Sequence, residues 1–174
     1  MGIKIIFLDT DGVLNTEFTK ESYGFYIGVE DRFIQNLRKI VDSTEDEVKI
    51  VSSSTWRLGL TKDKHRLEGL WEYLVDKLAE QGLEIYDVTP YLKHRRGKEI
   101  RQWIDDHRDL NIKNWIVLDD EFFYDFNDFG ITPHLVETFF YSERGGLNDE
   151  VTKKAIELLN GEIEDDFGKY TAED

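Results

Sequence analysis

Cysteine is absent from the 174-residue chain. Disulfides, thiol nucleophiles and zinc–thiolate sites are therefore excluded. Basic residues are in deficit: 22 Lys and Arg face 37 Asp and Glu, a formal net charge of −15. That balance favours solubility and disfavours broad, nonspecific nucleic-acid binding, while leaving room for a local basic site. No apolar run approaches the length of a membrane span, so no membrane partner is expected. The chain enters a strand pattern at once, without a basic segment leading into a cleavable apolar one. A cytoplasmic protein is the default expectation. No internal repeat and no low-complexity linker interrupts the sequence. The four histidines, at 65, 94, 107 and 134, have no spacing that suggests a metal cluster and read as surface or loop residues.

What is present is concentrated near the start. The stretch IKIIFLDTDGVLN, residues 3–15, runs from an apolar tetrad straight into Asp9-Thr10-Asp11-Gly12. Two carboxylates at the end of a buried strand are costly without a partner. A divalent cation is the natural one, and Mg²⁺ takes oxygen ligands, using one or two carboxylates and keeping water and substrate phosphate. Gly12 permits a sharp turn. An Asp also serves as a phosphoryl-accepting nucleophile. A plain polar turn is the bland alternative, but Val13-Leu14 returns the chain to apolar residues at once.

The length suits one domain with a sizeable core, placed at 1–161 and followed by an acidic tail over 162–174. Apolar alternation and runs predict strands over 4–8, 48–53, 83–88, 115–118 and 134–138. Helical spacing predicts helices over 30–41, 67–78, 97–107 and 149–159, the last with Asn148 as N-cap and Gly161 at its end. Residues 16–29 read as a flap or hairpin over the first strand end. Strands alternating with helices imply a parallel sheet covered on both faces, with ligands at the carboxyl ends of its strands.

The chemistry-bearing residues fall at those ends. Asp9 and Asp11 follow the first strand, Ser52-Ser53-Ser54-Thr55-Trp56-Arg57 the second, and Asp119-Asp120 the fourth. Arg95-Arg96-Gly97-Lys98 opens a helix. Each piece suits phosphoryl transfer: carboxylates for a metal, hydroxyls and N–H groups for a phosphate, and a cation to neutralise developing charge.

This order resembles the four-motif signature of the haloacid dehalogenase (HAD) superfamily, with IIFLDTDGVL as the first motif and IVLDD as the fourth. The resemblance covers residues 3 to about 159. It implies an α/β, Rossmann-like three-layer sandwich with a central parallel sheet and Mg²⁺-dependent phosphate hydrolysis. Asp9 would be the nucleophile. Asp11 would be the general acid and then the base, its backbone carbonyl joining a metal shell made with Asp9 and Asp119 or Asp120. For the second motif Ser54 is preferred, since it stands two before Trp56-Arg57, and Ser53 is next. For the third, Arg96 keeps the Gly-x-x-Ile spacing whereas Lys98 keeps the lysine. Arg57 is expected at the phosphate in preference to bracing Asp120.

The Trp-Arg pair, Arg-Gly-Lys-Glu-Ile with Trp103, the LDD run and Gly146-Leu147-Asn148 resemble, more loosely, the HAD domains of multidomain RNA-repair proteins. That branch implies a phosphorylated substrate, either a small molecule or a macromolecular end such as that of a nucleic acid, which the net charge does not favour. The gaps between motifs leave no room for a separate cap domain. The aromatic run 122–124 with Phe126 and Phe129 reads as core packing rather than a nucleobase site. Asp125 stands evenly between metal helper and loop residue, and Asp128 reads as solvated. A phosphotransferase, or a Mg²⁺- and phosphate-binding regulatory module without turnover, are the competing readings.

Overall fold

The computed structural model describes residues 2–60, 65–163 and 172; most of the expected acidic tail lies outside them. Five parallel strands form one sheet in the order β5-β4-β1-β6-β7. They are β1 (Ile3–Leu8), β4 (Glu47–Ser52), β5 (Ile85–Val88), β6 (Ile112–Asp119) and β7 (Leu135–Glu137). A two-stranded hairpin, β2 (Ser22–Tyr23) and β3 (Tyr26–Ile27), stands apart as the expected flap. The helices are α1 (Asp31–Val41), α2 (His65–Ala79), α3 (Arg96–Asp106) and α4 (Asp149–Asn160).

Side chains alternate across a strand, so the near-continuous apolar run of β1 feeds two cores. Ile6 and Leu8 point to one face, where they join residues of α1, α2 and α4 such as Leu37, Leu74 and Ala155. Ile5 and Phe7 point to the other, with Ile100, Trp103 and Ile104 of α3. Phe7 meets Trp103 and Trp115 edge-on at 5.5 and 5.8 Å, a favoured geometry for aromatic quadrupoles. Helices on both faces give the three-layer α/β sandwich expected for a HAD-like chain.

Asn148 caps α4 as expected, its Oδ1 accepting the Val151 N–H at 2.8 Å. Strand β6 starts three residues earlier than its apolar run predicted, because Ile112 and Asn114 extend the pairing with β1, Lys113 lying in the irregularity between them. His134, expected at the surface, is buried and stacked on Trp115 at 3.4 Å. Its Nδ1 lies 2.7 Å from the Trp115 carbonyl oxygen. Among the described residues no helix is long and apolar enough to cross a membrane.

Candidate active site

The ladder continues one step past the carboxyl ends of the strands. Asp9 N–H donates to Leu118 O, Ser53 N–H to Leu8 O and Thr138 N–H to Asp119 O, each at 3.0 Å. This places Asp9 on the central strand with Ser53 on one side and Asp119 on the other. The chain then turns at Gly12, whose φ is +81° and where a Cβ would collide with the Asp120 carboxylate. Only glycine meets both demands. Thr138 closes the turn from β7, its hydroxyl donating to Gly12 O at 2.6 Å.

Asp9, Asp119 and Asp120 each offer a carboxylate oxygen, all within 4.8 Å of one another. Arg96, the first residue of α3, reaches into this group. Its Nη1 lies 2.8 Å from Asp119 Oδ2 and 3.6 Å from Asp9 Oδ1. Burial pulls the Arg96 guanidinium down, but the charges of Asp9, Asp119 and Glu99 outweigh it and raise its pKa overall. Asp119 is raised well above the carboxylate range, first by burial and then by Asp9. Asp120 is pushed up to about 7 by burial, Asp9 and Glu121. One guanidinium is too little positive charge for three close carboxylates. The donor set is all hard oxygen, and the deficit is one that a divalent cation fills. The residues therefore fit Mg²⁺.

Asp11 stands outside that triad. Trp56 Nε1 donates to its Oδ2 and Asn15 Nδ2 to its Oδ1, both at 3.0 Å. Asn15 is itself fixed, accepting from Gly12 N–H and donating to Gly28 O. Asp11 is exposed at its outer side, yet the partial desolvation of its carboxyl raises the pKa, against the lowering pull of those two hydrogen bonds and with a further rise from Asp9. A carboxylic acid held in place and biased toward protonation is suited to giving a proton to a leaving group.

Arg57 differs from expectation. It is buried, with Nε donating to Thr89 O, Nη1 to Ser53 O and Ser54 O, and Nη2 to Pro90 O and Glu99 Oε2. Its donors are spent on protein acceptors, so it braces the serine loop rather than contacting a phosphate. Of the two candidate cations, Arg96 faces Asp9, while the Lys98 ammonium has no ion pair among the described residues. Both serines are buried beside Asp9. Ser54 Oγ accepts the Trp56 N–H, and Ser53 Oγ has no partner among the described residues.

Asp125, considered as a metal helper, has a different task. Its two oxygens accept the Gly97 and Lys98 N–H groups at 3.0 Å each. It therefore caps α3 from outside the helix and fixes Arg96. Asp128 is exposed, as expected. The sequence reading missed Asn15, Glu99 and Thr138. Glu99 alone carried a signal, lying one helical turn after Arg96.

A family model described as the HAD domain in Swiss Army Knife RNA repair proteins matches residues 5–150. The chain belongs to this family of HAD domains. Neither a search of curated proteins nor one of solved structures finds a match.

Proposed function

We propose that the protein is a Mg²⁺-dependent phosphomonoesterase working through an aspartyl-phosphate, on a phosphate at the end of a nucleic acid or on a nucleotide. The observation carrying this reading is the pairing of Asp9, set between Arg96 and two further carboxylates, with a separately anchored acid, Asp11. The family's description supports the substrate class.

The carboxylates of Asp9, Asp119 and Asp120 and the Asp11 backbone carbonyl would hold Mg²⁺, which would neutralise charge on the phosphoryl oxygens. Asp9 attacks phosphorus through a carboxylate oxygen and the bond to the ester oxygen breaks. Asp11 gives its proton to the departing oxygen. The same carboxylate, now ionised, takes a proton from water as that water attacks the phosphorus. The acyl-phosphate bond breaks, releasing inorganic phosphate and restoring Asp9. Arg96 stabilises charge on the transferring group. Ser53 and Ser54, on the loop that leaves the neighbouring strand β4, would supply hydroxyls to steady it.

Hydrolysis of p-nitrophenyl phosphate with and without Mg²⁺ tests the reading. Release that needs Mg²⁺ and vanishes in Asp9→Asn, with the unfolding midpoint kept, is the expected result. Equal release by the variant would overturn the mechanism. If the substrate is too small to be turned over, Mg²⁺-dependent capture of beryllofluoride at Asp9 still reports a competent nucleophile.

A further inference from the structure

We infer that the loops around the carboxyl edge of the sheet form a binding surface for single-stranded nucleic acid, with unstacked bases on exposed rings and the terminal phosphate directed to Asp9. Only that last contact rests on the phosphatase reading. Among the described residues, every exposed large aromatic side chain except Tyr86 lies on a connection leaving the carboxyl end of a strand. Phe18 and Phe25 follow β1, Phe122 and Tyr124 follow β6, and Phe139 and Tyr141 follow β7. Phe25, at the hairpin tip, is fully exposed.

Contacts tie these rings to the site. Thr138, bonded to both Asp119 and Gly12, anchors the chain immediately before Phe139. Glu17 N–H donates to Phe140 O at 3.0 Å, joining the Phe18 loop to the 139–141 loop. The Arg96 guanidinium sits 4.7 Å over the Phe123 ring, and Phe122 and Tyr124 flank that ring in sequence.

Charge follows the same edge. Lys20, Lys93, Lys98 and Arg144 stand on these loops or at the start of α3, and none has an ion pair within 4 Å among the described residues. Elsewhere Lys4, Arg38, Lys77 and Lys113 are ion-paired, while Lys39 on α1 and Lys153 on α4 have no ion pair among the described residues. Lys93 and His94 hold left-handed backbones, φ 56° and 65°, uncommon for residues with side chains and concentrated at functional sites. Rings interleaved with free cations suit single strands, whose bases expose their faces; a duplex hides them. The rings stand on separate loops interrupted by charged residues rather than on one continuous apolar face, which disfavours a bilayer. Glu17, Glu21, Glu121, Asp128 and Glu143 are exposed on the same loops, so few backbone phosphates are neutralised and stacking carries most of the affinity.

Fluorescence anisotropy with a labelled, end-phosphorylated single-stranded RNA decamer, Mg²⁺ and the Asp9→Asn protein reads the binding without turnover. Phe122→Ala and Phe139→Ala should each weaken binding about tenfold, while Tyr86→Ala leaves it unchanged. The logarithmic salt slope should be shallow, about −2. Equal or tighter binding of a blunt duplex, equal loss in Tyr86→Ala, or binding of phosphatidylserine vesicles without the decamer would overturn the proposal. So would hydrolysis of p-nitrophenyl phosphate by the native protein with no decamer binding, which leaves the phosphatase reading standing. Decamer binding with neither hydrolysis nor beryllofluoride capture supports the surface and sinks that reading.

Discussion

At the scale of single residues, the two carboxylates given separate roles in the proposed mechanism sit in different environments. Asp9 is enclosed by acids and one arginine, whereas Asp11 is gripped by two neutral donors. Trp56 is a positioning residue for Asp11. Trp56→Phe removes one of the two anchors, so it should slow hydrolysis of a simple alkyl phosphate about tenfold or more, because that leaving group needs its proton. The loss on p-nitrophenyl phosphate, whose leaving group is a stable anion, should be much smaller. Equal losses on both substrates would reduce Trp56 to a packing role. The clustering of Asp9, Asp119 and Asp120 was legible because acids abruptly ending apolar strands need a physical reason. Arg57 was misplaced because sequence spacing sets a residue near a site without saying where its guanidinium turns. Two of the carbonyls that hold it lie three and four residues before it, but the other partners, Thr89, Pro90 and Glu99, come from a segment more than 30 residues away.

At the scale of elements, α3 acts as a carrier for Arg96. Its amino end is held by Asp125, which arrives from the β6–β7 connection. Loss of a helix cap costs about 1 kcal/mol, and here it also frees the site's arginine. Asp125→Ala should lower the unfolding midpoint by about 3 °C and reduce kcat severalfold, with Asp125→Asn recovering part of both. Unchanged kcat would separate the cap from catalysis. No local pattern marks an acid as the cap of a helix that begins 29 residues before it in the chain, which is why the sequence left Asp125 open. Strand and helix positions were legible, since a short apolar run marks β1 and helical apolar spacing marks α1 and α4.

The opposite edge of the sheet depends on Asp46. Gly2 N–H, Lys113 and Lys4 hold its carboxyl well below the usual carboxylate range. A group whose folded pKa is depressed stabilises the fold above its unfolded value of about 4 and loses that contribution as pH falls through the folded one. Asp46→Asn should therefore lower the unfolding midpoint at pH 7. The difference from the native protein should shrink steadily below pH 4. A difference independent of pH would show that the contacts of Asp46 are not charge-assisted.

For the whole molecule, the net charge of −15 is a standing repulsion. Raising salt from about 0.05 to 0.5 M shortens the Debye length to a few ångströms. The unfolding midpoint should rise by a few degrees. A fall would mean that the ion pairs at Lys77, Arg38 and Lys113 outweigh the global field.

The start of β1 and the end of α4 meet away from the site. Lys4, near the start of β1, donates to Asn160 Oδ1 at the end of α4 at 2.9 Å, on the edge opposite Asp9. A bridge of a few glycines and serines from 161 back to 2 would close the core into a ring, and new ends could be cut elsewhere. By the same geometry, the core grafted by residues 2 and 161 into a surface loop of a carrier protein would hang from one stem with its carboxylates facing outward. An immobilised or insertion-fused version would therefore keep its working face open to solvent.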